Sequence, residues 1–318
     1  MKKIVCVAVA AILTVLTAGA TAEEAKGVAV RTDRPRIMLT PERVEKLKGN
    51  LATHPIPGDA ATAKALTYAL SGDEEAGAAA VDALMKFDIS DEELKTAVAS
   101  DNYRWAAAVP AMYDWCYDKL TPEQRKTFLE RYGRIVDAMN AKSWGSPSMP
   151  GSNYYNGYMR NSGIFGLATF GETPLAQKAL EDALVIRWQK ASLPFYDGPA
   201  KGGVVGEGSQ YDRYNIEYVL WLAEALRTTT GRDIMKETNW FREFAYQTIY
   251  STTPTLTYAK DVDDSYFQRF AFGDCEKWDG HPDVDEYIGD AMRMIALEYA
   301  DEAVGRHAQQ YIDEVEPP

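Results

Sequence analysis

The chain has 318 residues, of which 46% are hydrophobic, so it is long enough to bury a large core and its composition is not that of a disordered protein. Its 47 Asp and Glu residues outnumber its 34 Lys and Arg residues, and the formal net charge is −13. This charge argues against nucleic acid or an anionic membrane as a partner, because both are polyanions. An anionic sugar is not excluded, since salt confines surface fields to roughly 8–10 Å and a cleft can carry its own Arg residues.

The first residues are typical of a secretory signal peptide. A short basic start precedes an apolar run that ends in the small-residue triplet at 20–22, which fits a small-x-small cleavage site. We therefore expect residues 1–22 to be removed, the mature chain to begin at Glu23, and the protein to be exported to the periplasm or the extracellular space. Residues 23–34 form an N-terminal segment, and no later stretch has the apolar run that a membrane span needs.

Helix starts occur at intervals from residue 35 onward. Thr followed by Pro stands at 40–41 and again at 121–122, and Ser90 with Glu93 forms a capping box. Helical periodicity follows each start and continues through LEDALVIRWQKA, IEYVLWLAEALRT, FREFAYQTIYS and DAMRMIALEYADEAV, whereas alternating strand patterns are nearly absent. The sequence therefore predicts one all-α domain over residues 35–318.

Three connecting segments are long and rich in Gly, Ser, Tyr and Asp, at 142–155, 195–210 and 258–282. Long structured loops in a compact domain usually carry function. The architecture that we expect is a stack of antiparallel helix pairs, curved into an incomplete (α/α) toroid, with these loops grouped at one end.

Two of the loops collect side chains that bind polar ligands. The segment KSWGSPSMPGSNYYNGYMRN at 142–161 combines amides, phenols and an Arg, and GEGSQYDRY at 206–214 adds Glu, Arg and two Tyr at a helix entrance. Helix capping and packing explain any one of these residues taken singly. The cluster as a whole favours a functional site.

Three segments, in this order, resemble the heparinase II/III-like polysaccharide lyases. They are DRPRIMLTPERVEKLK at 33–48, SNYYNGYMRNSGIFGLATFGE at 152–172, and GGVVGEGSQYDRYNIEYVLWLAEAL at 202–226. The later FAFGD at 270–274 is similar to the segment that follows that family's catalytic helices. The resemblance covers most of the mature chain. It implies a helical toroid whose cleft binds an acidic polysaccharide or oligosaccharide and performs β-elimination, with neither a cofactor nor a metal.

The resemblance assigns roles to individual residues. The family's Glu-Gly-x-x-Tyr pattern falls on Glu207 and Tyr211, and its loop Asn falls on Asn153. In β-elimination a base removes the C5 proton of a uronic acid while other groups neutralise the charge that develops on the carboxylate. A phenol needs nearby positive charge to give up its proton, and Arg213 is expected to supply it to Tyr211.

Further residues are expected to hold the substrate. Arg160 and Arg213 are candidates for binding carboxylates, Tyr214 is the second choice for the catalytic tyrosine, and the candidates for stacking on sugar rings are Trp144, Tyr154 and Tyr155. Glu207 has two open interpretations, direct catalysis or the orientation of loop amides.

The sequence departs from the family pattern in two respects. Ser152 stands where many members place a His beside the Asn. The resemblance also covers only the helical half of the family's architecture, so we expect a partner domain or chain to supply the β-sandwich half.

Two other function classes stay open. A glycoside hydrolase of (α/α) toroid fold needs two carboxylates roughly 5–10 Å apart, for which Glu207 and Asp212 are the local pair. The third possibility is a non-catalytic glycan-binding or accessory protein.

The Cys and His residues predict no metal site. Cys116 and Cys275 are far apart in sequence and lack metal-ligand spacing, and buried free thiols are favoured over a disulfide. His54, His281 and His307 are widely spaced, without a ligand-like pair. We expect His54 and His307 at the surface and interpret His281 as part of a DGHPD turn rather than a binding residue.

Overall fold

The structure is a computed structural model that describes residues 29–54, 56, 60–95, 108–140, 146–259, 263–270, 272–273 and 282–315. The expected signal peptide lies outside the described residues. So do Trp144, Cys275 and His281.

Most of the described chain is helical, which confirms the all-α prediction. The α-helices are α1 (Pro41–Asn50), α2 (Ala61–Ser71), α3 (Glu74–Lys86), α4 (Asp91–Lys95), α5 (Ala108–Trp115), α6 (Pro122–Asn140), α7 (Asn153–Ala168), α8 (Pro174–Leu180), α9 (Leu193–Tyr196), α10 (Ser209–Thr230), α11 (Trp240–Ser251), α12 (Pro282–Glu298) and α13 (Ala303–Val315). A π-helical stretch, Glu181–Ser192, joins α8 to α9, and short 3₁₀ turns cover Tyr117–Lys119 and Ile234–Lys236.

The three predicted helix starts are confirmed in their hydrogen bonds. The Thr40 hydroxyl accepts from the N–H of Arg43, the third residue of α1, and Pro41 stands at its first position. Ser90 and Glu93 form the reciprocal capping box at the start of α4. The hydroxyl of Thr121 accepts from the Gln124 N–H at the start of α6, and the Gln124 side chain accepts from the Thr121 N–H. These bonds satisfy N–H groups that a helix leaves unpaired at its first turn.

The strands of the described chain form a two-stranded antiparallel ribbon. Strand β1 (Thr257–Ala259) pairs with β2 (Asp264–Tyr266), so that Tyr258 lies opposite Ser265. The ribbon lies within the long segment that the sequence predicts as a loop between helices.

Helix α7 lies at the centre of the molecule, and every one of its residues except Tyr154 is buried. It runs parallel to α10, because Asn156 bonds to Asn215 near the start of the two helices and Gly163 meets Leu222 further along. A Cβ atom at Gly163 would stand 2.4 Å from the Leu222 Cδ1 atom. Glycine therefore allows the close approach of α7 to α10.

The segment between α7 and α10 returns antiparallel to α7. The Tyr155 hydroxyl at the start of α7 donates to the Arg187 carbonyl, and Gly166 near its end packs on Leu180. On its other sides α7 contacts α5, and α10 contacts α12. The chain thus alternates central helices with an outer return segment.

The extended segment before α1 binds the C-terminal ends of the central helices. Arg34 donates to the Ala168 carbonyl at 2.8 Å and to the buried Asp114 carboxylate at 2.6 Å. Arg31 donates to the Thr228 carbonyl at 3.2 Å. Arg31 and Arg34 thus bond the segment before α1 to the helical domain.

Cys116 is a buried free thiol, as the sequence interpretation favours for this residue. Burial raises the pKa of the Cys116 thiol to about 12. Among the described helices, none combines the length and the apolar character that crossing a membrane requires.

Candidate functional site

Polar side chains follow helix α7 into the protein interior. Asn153, Asn156, Arg160 and Asn161 are each at most 3% exposed. A helix that is buried on all sides is normally apolar, so buried polar residues call for a specific explanation. The first three lie on the face towards α10.

Glu207 joins the entrances of α7 and α10. Its Oε2 atom accepts from the Asn153 backbone N–H at 2.7 Å and from the Asn215 side-chain amide at 3.3 Å. The N-cap residue Ser152 makes no side-chain capping bond, so the Glu207 carboxylate caps α7 from another loop. A negative charge is also favourable at a helix N-terminus. This geometry matches the amide-orienting interpretation of Glu207, and it places the two predicted loops at the same end of the helices.

Two amide oxygens at the α7 entrance are buried without a hydrogen-bond partner among the described residues, Asn153 Oδ1 and Asn156 Oδ1. The Asn156 amide nitrogen donates to Asn215 Oδ1 at 2.5 Å. Buried polar atoms are nearly always hydrogen-bonded in folded proteins, and an exception marks the place of a water or a ligand. The amide of Asn153 therefore has hydrogen-bonding capacity available at this entrance.

A third segment, described at residues 269–270 and 272–273, lies against the same entrance. The Ser209 N–H donates to the Phe272 carbonyl at 3.0 Å, and Gly208 pairs with Gly273 as an isolated antiparallel bridge. Arg269 makes a buried ion pair with Asp212 at 3.1 Å. The FAFGD segment at 270–274, which the resemblance associates with the catalytic helices, thus lies against the start of α10 in its described residues.

A row of tyrosines occupies the first turns of α10. Tyr211 and Tyr218 each lie with their ring centroid 6.2 Å from that of Tyr214. Tyr211 and Tyr214 are half-buried, whereas Tyr218 is fully buried. Arg213 donates to the Tyr214 hydroxyl at 2.6 Å. The sequence interpretation assigned this positive charge to Tyr211, and the geometry places it on the oxygen of Tyr214.

Arg160, a predicted carboxylate-binding residue, lies two turns inside the entrance. Its guanidinium is 4.0 Å from the ring centroid of Tyr218 and 5.7 Å from that of Trp221. Arg160 is 3% exposed. A cation stacked on aromatic faces in this way is held inside the protein.

Glu217, a half-buried carboxyl, precedes Tyr218 in the sequence. Burial raises the pKa of the Glu217 carboxyl, while Arg160 opposes that shift. Glu217 Oε2 is buried and has no hydrogen-bond partner among the described residues.

The expected sugar-stacking residues differ in their surroundings. Tyr155 is fully buried, and its hydroxyl donates to the Arg187 carbonyl at 2.6 Å. Burial raises the pKa of Tyr155 to about 12. Tyr154 is half-buried and makes an edge contact with Tyr158. Trp144 lies outside the described residues.

The geometry does not favour the carboxylate pair proposed for a hydrolase. Asp212 is 1% exposed and paired with Arg269, and Glu207 caps α7. Burial raises the pKa of the Asp212 carboxyl, and the charge of Arg269 opposes the shift. A glycosidase needs one carboxylic acid and one carboxylate facing the scissile bond, and here both groups are bonded within the protein.

The described residues contain no group of three or more His, Cys, Asp or Glu side chains that could hold a metal ion. His54 and His307 are exposed, as the sequence interpretation expects.

Sequence reasoning missed three residues of this site on α10, which are Asn215, Glu217 and Tyr218. Each follows a predicted site residue by four positions, so helical spacing could have found them. Arg269 had no such signal, because its partner Asp212 is 57 positions away.

Comparison with known proteins assigns this site to no family. No protein-family model matches the chain, and no curated protein matches it.

Proposed function

We propose that the protein is an exported polysaccharide lyase-like enzyme that cleaves a uronic-acid-containing polysaccharide by β-elimination at the joint entrance of α7 and α10. The observation that carries this proposal is the placement of two half-buried phenols one turn apart, one of them bonded to the buried Arg213 guanidinium. The unpartnered Asn153 amide oxygen lies at the entrance of the neighbouring helix.

In the proposed reaction the phenolate of Tyr214 acts as the base and becomes a phenol when it accepts the C5 proton. A guanidinium that donates to a phenol oxygen stabilises negative charge on that oxygen, which suits a group that must accept the C5 proton. The electron pair of the C5–H bond forms the C4–C5 double bond, and the bond from C4 to the leaving oxygen breaks. Tyr211 donates its proton to that oxygen.

The Asn153 amide is proposed to bind the uronate or an adjacent hydroxyl. An amide oxygen accepts from a sugar hydroxyl, and an amide turned by 180° presents its N–H groups to a carboxylate. Donors aimed at the carboxylate would stabilise the charge that develops there. Glu207 then serves as a positioning residue, since its carboxylate fixes the backbone of Asn153 and the side chain of Asn215.

We extend the proposal to the architecture, an incomplete (α/α) toroid. It is supported by the parallel arrangement of α7 and α10, by the antiparallel segment between them, and by the contacts of these central helices with α5 and α12. In a toroid of helix pairs, inner helices lie side by side in parallel and outer helices return antiparallel. The proposed partner for such a cleft is an acidic polysaccharide, with a β-sandwich domain or chain covering the entrance.

The test is incubation of the purified protein with a panel of uronic-acid polysaccharides while the ultraviolet absorbance of the unsaturated product is followed. An increase in absorbance is expected. Tyr211→Phe and Tyr214→Phe are each expected to reduce turnover by about 10²–10⁴-fold, the range for a lost general acid or base. Tyr155→Phe is the matched control, because the Tyr155 phenol is fully buried and bonded to the Arg187 carbonyl, and its turnover should be unchanged.

Other outcomes separate the competing functions. New reducing ends without the absorbance would mean hydrolysis. Normal turnover in both Tyr211→Phe and Tyr214→Phe would rule out the tyrosine mechanism. Binding of a uronate polymer without cleavage would favour a glycan-binding protein.

A further inference from the structure

Two stacked tyrosines form an exposed aromatic ridge on α11. The ring centroids of Tyr246 and Tyr250 are 6.3 Å apart and their planes are inclined by 24°. Tyr250 is 83% exposed, and the nearby Phe270 is 71% exposed. Large aromatic side chains are rarely left so open to water without a partner, because their burial is strongly favourable.

A groove lies on each side of this ridge. The first, of about 420 Å³, runs between α11 and α13, with Phe267 and Tyr311 among its lining residues. The second, of about 600 Å³, reaches from the ridge to Phe270 and Lys201. Tyr246 and Tyr250 line both grooves. Among the lining residues, Phe270 belongs to the segment that lies against the start of α10, and the others lie outside the α7 and α10 entrance described above.

Hydroxyl and amide side chains lie among the polar groups around the ridge, together with His307 of the first groove. Thr252, Thr253 and Gln310 line the first groove, and Gln247 and Ser251 line the second. Hydroxyl and amide groups both donate and accept, which suits a ligand that itself carries many hydroxyls. A concave site with aromatic faces and a few convergent polar groups fits a ligand better than a flat protein surface.

The charges near the ridge do not select an anion. Glu314 is the acidic residue of the first groove, where the described lining contains neither Lys nor Arg. In the second groove Lys201 is accompanied by Glu243, whose carboxylate accepts from the Gly202 N–H at 2.6 Å. A net acidic protein with this lining disfavours a polyanion here.

We infer that the ridge formed by Tyr246 and Tyr250, with Phe270, is a carbohydrate-binding site for a neutral oligosaccharide. The apolar faces of sugar rings stack on the aromatic side chains, and the sugar hydroxyls bond to the threonines and glutamines on either side. This site is separate from the proposed elimination site and takes a sugar of different charge.

The experiment is isothermal titration calorimetry of the purified protein with neutral hexasaccharides of glucose, xylose, mannose and N-acetylglucosamine, and with a uronate hexasaccharide for comparison. At least one neutral sugar is expected to bind. Tyr250→Ala is expected to raise its Kd about 10-fold or more, since an aromatic contact is lost. Tyr250→Phe should keep the affinity within about 3-fold, because stacking does not need the hydroxyl.

Tyr258→Ala is the matched control, because Tyr258 is 58% exposed and lines neither groove, and its Kd should be unchanged. Tyr211→Phe should also bind the neutral sugar normally, which distinguishes this site from the elimination site. Three outcomes would overturn the inference: no binding of any neutral sugar, binding that Tyr250→Ala does not weaken, or binding of the uronate sugar alone. Capture of a protein partner through Tyr250 in place of a sugar would likewise assign the ridge to another ligand class.

Discussion

At the scale of single residues, the informative feature is where buried polar groups find their partners. Glu207 is half-buried in a loop, yet its carboxylate supplies the cap that Ser152 does not give to α7. It also holds Asn215, whose amide oxygen in turn accepts from Asn156. A residue that looks catalytic in the sequence therefore acts as the link that keeps two helix entrances together.

Two replacements of Glu207 distinguish the hydrogen bond that caps α7 from the effect of the negative charge. Glu207→Ala is expected to lower the free energy of unfolding by about 1–2 kcal/mol, because the Asn153 N–H loses its acceptor. Glu207→Gln keeps an acceptor oxygen and loses only the charge at the helix end, which costs about 0.3–1 kcal/mol. Urea denaturation of the three proteins measures both values. Equal losses in the two variants would show that the charge, and not the cap, holds the entrance.

At the scale of elements, two glycines allow residues 272–273 to lie against the start of α10. Gly273 has a φ of +65° and Gly208 a φ of +117°, conformations that favour glycine. A Cβ atom at Gly273 would stand 2.8 Å from the Gly208 Cα atom and 3.0 Å from the Glu207 carbonyl oxygen. The close backbone contact therefore requires glycine for space as well as for conformation.

Gly273→Ala tests this contact against Gly231→Ala. Gly231 ends α10 with a φ of +76°, and a Cβ atom there would have nothing within 4 Å. Gly231→Ala should lower the free energy of unfolding by about 1 kcal/mol, because alanine disfavours the left-handed conformation. Gly273→Ala should lower it by about 1–3 kcal/mol more, because the new Cβ atom clashes with the backbone of residues 207–208.

The readouts are urea denaturation and hydrogen exchange of the Ser209 N–H, which donates to the Phe272 carbonyl. Exchange of this N–H should accelerate in Gly273→Ala and not in Gly231→Ala. Similar stability and exchange in the two variants would contradict the proposed contact.

At the scale of the whole molecule, charges lie at both ends of the central helix pair in the order that helix dipoles favour. The Glu207 carboxylate lies at the N-terminal end, while Arg31 and Arg34 donate to carbonyls at the C-terminal ends of α10 and α7. Arg34 also pairs with Asp114 of α5, whose side chain is fully buried. The segment before α1 thereby bonds to three helices, α5, α7 and α10.

Removal of the Arg34 charge should destabilise the whole domain in a pH-dependent way. Arg34→Met is expected to cost about 3 kcal/mol at pH 7, because it leaves the buried Asp114 carboxylate with a weaker counter-charge. Burial already raises the pKa of Asp114, and Arg34 opposes that shift, so the variant raises this pKa further. A carboxyl whose pKa is raised in the folded state holds its proton more tightly there than in the unfolded chain. The free energy of unfolding therefore falls as the pH rises through the folded pKa and the carboxyl ionises.

The difference in the free energy of unfolding between Arg34→Met and the wild type should therefore be largest at neutral pH. It should shrink as the pH falls towards the ordinary Asp pKa of about 3.9. Urea denaturation between pH 4 and pH 7 measures it. The double variant Asp114→Asn with Arg34→Met is the control, and it should recover part of the stability and lose the pH dependence. A deficit that grows on acidification would overturn this account of the ion pair.

Much of the helical framework can be read directly from the sequence. The caps at Thr40, Ser90 and Thr121, the periodic helices and the near absence of strands are all local features, because helix hydrogen bonds and caps join residues within four positions of one another. The shared location of the two polar loops also followed from the expected helix pairs, and the bond between Asn153 and Glu207 confirms it.

Tertiary packing decided which of the clustered side chains can meet a ligand. Tyr154 and Tyr155 are neighbours of the same type, yet Tyr154 is half-buried whereas Tyr155 is fully buried and its hydroxyl donates to the Arg187 carbonyl. Arg213 reaches Tyr214, Arg160 lies on Tyr218, and Asp212 is held by an Arg 57 positions away. Sequence patterns record which residues lie on one helix face, whereas burial and long-range pairing depend on how helices distant in sequence pack, and local spacing carries no information about that packing.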